Sequence, residues 1–187
     1  MNSQTLIVVA SIVVAIVVIA VAWMYSQRQR RVRLRERFGP EYDRVMHEAG
    51  AQAKAEAQLE ERARRVDRLK IRPLSREQAD SFAREWRQIQ GRFVDDPNGA
   101  VADADRLVAQ VMAARGYPLD DFDTRAADLS VDHPRVVENY RLARAIALRR
   151  ERGEAQTEEL RQAVVNYRTL FEDLLEVSDS NVRRRAS

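Results

Sequence analysis

Leu6 to Tyr25 reads LIVVASIVVAIVVIAVAWMY, twenty residues without a charge. At 1.5 Å per residue a helix of that length measures roughly 30 Å, the thickness of a bilayer's hydrocarbon core. In water such a run is a liability; in lipid it is an anchor. Everything after it has to be compatible with a chain held at a membrane surface, so the remaining sequence reads as the anchor's cargo.

The flanks set an orientation. Residues 1–5 carry no Lys or Arg, whereas 28–37 holds Arg28, Arg30, Arg31, Arg33, Arg35 and Arg37 against the single Glu36. Basic residues beside a span stay cytoplasmic, which predicts an inner-membrane, single-pass chain with its N-terminus out and residues 28–187 in the cytoplasm. Trp23 and Tyr25 fall where an interfacial aromatic belt belongs. The competing reading is a secretory signal peptide cut after Ala20-Val21-Ala22. It lacks a basic n-region, and the apolar run exceeds an h-region of about 7–15 residues. Ser11 and Ala15 form one small-xxx-small pair, a weak signal for self-association through the span.

The chain has no cysteine, which excludes disulfides, thiolate chemistry and Cys-based zinc or iron–sulfur sites. Its pI of 9.6 invites a nucleic-acid reading until the charge is divided along the chain. Residues 28–37 hold +5, 38–74 hold +1, 75–176 hold −5 and 177–187 hold +2. The basicity belongs to the membrane edge and the tail, and the globular part is acidic. A phosphate-binding domain needs a basic face, so nucleic acid is not among the expected partners. The arginine cluster reads as a topology signal with an attraction to anionic lipid heads.

The expected fold class is all-α: a transmembrane helix, a long spacer helix and a small bundle of about four amphipathic helices. Segments 1–27 (span 6–25), 28–71 (arginine-rich segment and spacer), 72–176 (bundle) and 177–187 (disordered tail) are the expected divisions. The anchor helix continues to Phe38, where Gly39 stops it and Pro40 opens the next. Glu41 to Lys70 reads as one helix with a seam of Tyr42, Val45, Ala49, Leu59, Ala63 and Val66, interrupted by Gln52 and Glu56. A solvated spacer braced by Glu60–Arg64 and Glu61–Arg65 pairs and a paired coil are both open there. Ser75 and Gln78 form a capping box, followed by a stripe of Phe82, Trp86, Ile89 and Phe93. Asp96-Pro97 starts a further helix with Val101, Ala104, Leu107, Val108, Val111 and Met112 on one face, ended by Gly116. A connector over 117–134 holds at most one short helix, around Thr124 to Leu129. Pro134 opens a helix to about Arg152 with Val137, Tyr140, Leu142, Ala145, Ile146 and Leu148 as apolar positions. The last helix is expected to be capped by Thr157 and to present Leu160, Val164, Tyr167, Leu170, Phe171, Leu174 and Leu175.

RFGPEYDR at 37–44, RPLS at 72–75, RFVDDP at 92–97 and RAADLSVDHPRVVENYR at 125–141 resemble a family of uncharacterised bacterial single-span, all-helical membrane or secreted proteins. The resemblance covers nearly the whole chain. It implies bacterial origin and membrane association, and it brings no catalytic residue, ligand or partner with it.

No catalytic, cofactor-binding or metal-binding residue is expected, and no cofactor. His47, with Asp43 four residues before it, reads as a solvated surface histidine. His133 reads as a cap at the start of the helix after it. Asp120, Asp121, Asp123, Asp128 and Asp132 do not fall at calcium-loop positions. Ser178 and Ser180 lack a nucleophile elbow, and no Gly-rich phosphate loop follows a strand. The expectation is therefore a membrane-anchored, non-enzymatic helical interaction or scaffold module, its partners the bilayer and another protein. The alternatives are a small-ligand or lipid sensor with a pocket beside Trp86 and Tyr140, and an enzyme without a short motif. The partner-binding candidates are Asp120, Asp121, Phe122, Asp123 and Asp128, an acidic edge with an apolar anchor suited to a basic partner. Self-association through the span or through 41–70 is a further expectation.

Overall fold

The computed structural model describes the backbone of residues 3–185 and the side chains of residues 12–175. Ser11, Ser178 and Ser180 as side chains, and residues 1–2 and 186–187 altogether, lie outside the described residues. Within them the chain is all-helical, with no strand. Eight helices follow in order: α1 (Ser3–Phe38), α2 (Pro40–Ala49), α3 (Gln52–Asp67), α4 (Arg76–Arg92), α5 (Pro97–Arg115), α6 (Phe122–Asp132), α7 (Val137–Glu151) and α8 (Thr157–Arg185). They divide into two compact units, Met1–Leu59 and Glu60–Ser187.

In the first unit α1 runs unbroken from the apolar segment through the arginines. Among the described residues it is the one helix long and apolar enough to cross a membrane. Its large apolar side chains from Ile12 to Tyr25 are exposed. Gly39 separates it from α2, and Pro40 is the first residue of that helix, as its sequence predicts. The expected single helix from Glu41 to Lys70 is instead two. Gly50 ends α2 in the left-handed conformation, φ +68°, which glycine adopts without steric cost, and α3 starts two residues later. Leu34, Phe38, Tyr42, Val45, Ala55 and Leu59 are buried. A helix solvated all round is thus not what residues 41–70 form, and the seam interrupted by Glu56 is buried at Glu56 as well.

In the second unit, α8 packs against both α7 and α5, α4 lies on α5, and α6 lies on α7. Ser75 and Gln78 close the capping box in both directions, at 3.2 and 3.1 Å. Asp96 accepts the Gly99 N–H at 2.8 Å, with Pro97 at the first helical position. The whole α5 stripe named from sequence is buried. At Gly116 a positive φ of 98° ends α5, and a Cβ there would stand 2.8 Å from the Lys70 carbonyl oxygen, so no other residue fits.

Further boundaries and registers differ from expectation. Pro134 does not open α7: residues 134–136 form a turn, and the helix begins at Val137. On α7, Leu142, Ala145 and Leu148 are exposed, while Ala143 and Ala147 join Val137 and Tyr140 in the core. Apolar and charged residues are both spread around this helix, so its sequence marks no single face, and the small alanines let α8 lie close. Thr157 is the first residue of α8; the cap position is Gln156, whose N–H donates to Glu159 at 2.9 Å. The backbone of α8 continues as helix to Arg185, through residues expected to form an unpatterned tail, since extending an existing helix requires no new nucleus.

Candidate functional site

The arginine segment occupies the last three turns of α1. Trp23 and Tyr25 are exposed at its start, and Gln29 Nε2 donates to the Tyr25 hydroxyl at 2.8 Å. Beyond them the helix turns some arginines onto the rest of its unit. Arg31 Nε lies 3.5 Å from the carboxylate of Glu56, which is buried. That carboxylate also accepts from Gln52 Nε2 at 2.6 Å and from the Tyr42 hydroxyl at 3.2 Å. Burial, and then the adjacent Glu56 charge, push the Tyr42 phenol above its ordinary pKa. Arg35 Nη2 lies 3.2 Å from Asp43, and its guanidinium sits over the Tyr42 ring, 5.5 Å from the centroid. Arg44 grips buried Glu41 at 2.6 and 2.9 Å and also reaches Glu48. Arg30 is half-buried, and Arg28, Arg33 and Arg37 are exposed. His47 is exposed on α2.

The acidic edge of the second unit is built differently from a bare cluster. Asp121 is the N-cap of α6 and accepts the Thr124 N–H at 3.0 Å, which holds its carboxyl below the usual range. Asp120 pairs with Arg65 at 2.8 Å. The same guanidinium lies 3.1 Å from Asp128, a buried carboxylate whose near oxygen is placed off the hydrogen-bonding direction. Burial raises the Asp128 pKa, and the Arg65 charge opposes that shift without cancelling it. Phe122 is half-buried against Tyr140, ring centroids 4.8 Å apart, with the Arg144 guanidinium 5.9 Å above it. Asp123 is exposed in the first turn of α6, and no cation among the described residues pairs with it. The connector is mostly helix: the one short helix expected around Thr124 to Leu129 is α6, which runs longer, over eleven residues.

His133 departs most from its sequence reading. It sits at the C-terminal end of α6, where its backbone N–H donates to Leu129, and its side chain is buried. Nδ1 lies 2.5 Å from Asp173 Oδ2, and Nε2 lies 3.4 Å from Arg115 Nη1. A ring carrying its proton on Nδ1 satisfies both contacts. Arg115, also buried, donates to the Leu174 carbonyl at 2.9 Å. Beside it the Tyr117 hydroxyl donates to Asp132 at 2.9 Å. The Asp–His pair resembles an acid–base dyad, but its free nitrogen faces a guanidinium rather than a nucleophile, and the imidazole is 1% exposed. The cluster joins α5, α6 and α8 from inside.

Sequence reasoning missed this junction and the buried Glu56. A signal existed for each: Arg115 and Glu56 both occupy positions where an apolar stripe continues at three- and four-residue spacing. The aromatic rings named for a ligand pocket are covered. Trp86 stacks on Phe171 at 4.8 Å, and Tyr140 lies between Phe122 and Tyr167. Among the described residues no group of three or more His, Asp or Glu could hold a metal ion. Comparison of the chain with protein-family models, with curated proteins and with solved structures finds no match.

Proposed function

We propose that the protein is a non-enzymatic interaction module of a bacterial inner membrane, anchored by α1 with its N-terminus out and its helical units on the cytoplasmic side. The observation that carries the reading is the exposed apolar girdle of α1 from Ile12 to Tyr25, running directly into six arginines. Exposed apolar surface of that extent needs lipid around it, and the arginines favour the cytoplasmic side. The helices of the second unit close a common apolar core of their own. Most of its acidic edge is occupied internally, Asp120 and Asp128 by Arg65 and Asp121 by the α6 N-terminus. That leaves Asp123 and the exposed Leu119 as the part of the edge free to meet a basic protein partner.

The test is crosslinking in native membranes followed by affinity purification, comparing the wild-type chain with Asp123→Asn/Leu119→Ser. Loss of a reproducible crosslinked protein with an unchanged thermal melt supports this edge as the docking site. Retention of the same partners by the variant removes the site, and a chain that crosslinks to no other protein removes the function.

A further inference from the structure

The six arginines are not equivalent. Arg31 and Arg35 are turned towards Glu56 and Asp43. Arg28 and Arg33 are exposed and pair with no carboxylate among the described residues. Helical geometry explains the division. Leu34 and Phe38 mark the buried side of α1, and at 100° per residue Tyr25, Gln29 and Val32 fall on the opposite side. Arg28 and Arg33 flank that outer strip. Together these five side chains line an open groove of about 280 Å³ beginning at the last aromatic residue of the apolar segment. Val32 within it is half-exposed, and Arg28 and Arg33 bring two guanidinium groups to its lining.

We propose that this groove is a headgroup site for an anionic phospholipid, its phosphate held between Arg28 and Arg33 and its acyl chains lying along the apolar part of α1. The proposal rests on the anchor reading. Guanidinium forks match phosphate oxygens bidentately, and Tyr25 stands at the level where headgroup and hydrocarbon meet. A second copy of the chain is the less fitting occupant. Parallel pairing of two α1 helices through Tyr25, Gln29 and Val32 sets Arg28 of one copy beside Arg33 of the other, like charge against like charge. An anionic lipid removes that conflict.

The full chain, in vesicles of phosphatidylcholine alone or mixed with phosphatidylglycerol, is tested in two steps. Flotation with phosphatidylcholine reports insertion; electron paramagnetic resonance of spin-labelled phosphatidylglycerol then reports its preference for the protein over phosphatidylcholine. Arg28→Gln/Arg33→Gln is expected to float normally and to lower the phosphatidylglycerol preference by about tenfold, at roughly a fivefold effect or less per arginine. Arg31→Gln/Arg35→Gln removes the same charge and is expected to change it by less than about twofold. Equal losses from the two pairs would show diffuse attraction to the surface and overturn the site. So would a Gln29→Cys chain that forms disulfide-linked dimers in phosphatidylcholine with no lipid preference to lose. A wild-type chain that does not float defeats the anchor reading itself; one that floats without preferring phosphatidylglycerol defeats only the headgroup site.

Discussion

Asp128 shows how single residues here are spent on structure. Its carboxylate is buried, its pKa is raised by that burial, and Arg65 compensates it only in part. A carboxyl whose folded pKa lies above its unfolded value costs stability when ionised, and that cost is relieved as pH falls through the folded value. Asp128→Asn is therefore expected to leave stability at neutral pH unchanged within about 0.5 kcal/mol or to raise it. Arg65→Ala, which strands the buried charge, is expected to cost roughly 1–3 kcal/mol, with part of the loss recovered on mild acidification. Denaturant melts at neutral and mildly acidic pH check both; a large loss from Asp128→Asn would show that the ion pair outweighs the burial cost. None of this is visible in the local sequence, because Arg65 lies 55 residues before Asp120 and reads equally well as the partner of Glu61. His133 is the same case. Its partners Arg115 and Asp173 come from 18 residues before and 40 after, so the Val-Asp-His-Pro context suggests a cap where the fold makes an interior junction.

At the scale of elements, legibility followed the strength of local chemistry. Gly39-Pro40, the Ser75–Gln78 box and Asp96-Pro97 are short-range signals that tertiary packing had no reason to override, and each sits where it was expected. The break at Gly50 was carried by one glycine inside a favourable helical pattern, and the register of α7 by a segment apolar on several faces. In such places neighbouring helices decide. The α6 start offers a direct comparison of capping with mere acidity. Asp121→Ala is expected to lower stability by about 0.5–2 kcal/mol, and Asp123→Ala by under about 0.5. The Asp121 contribution depends on a carboxyl held below the usual range by the Thr124 N–H. It is present above the ordinary aspartate pKa and lost as pH falls through the lowered folded value. Equal effects of the two substitutions in a thermal melt would contradict the cap.

Over the whole molecule, two chemistries are kept apart along one chain: an apolar, then arginine-rich helix, and a net-acidic set of helices with a closed core. That separation was legible because charge and hydropathy need no tertiary information. What the charge map could not show is that acids and arginines pair within each part, Glu56 with Arg31 in one and Asp120 and Asp128 with Arg65 in the other. Of the charged groups singled out on α1 and along the acidic edge, Arg28 and Arg33 on α1 and Asp123 on α6 are left outside that pairing among the described residues. The central claim is that α1 holds these helices on the arginine-flanked side of a membrane. Because the chain has no cysteine, a single Gln88→Cys on the exposed side of α4 serves as a unique reporter. In bacterial cells, a membrane-impermeant maleimide is expected to label it in inside-out membrane vesicles and not in intact spheroplasts, with the full-length chain retained in the membrane pellet. Labelling of intact spheroplasts, or a shortened chain beginning at Trp23 in the soluble fraction, would contradict the account.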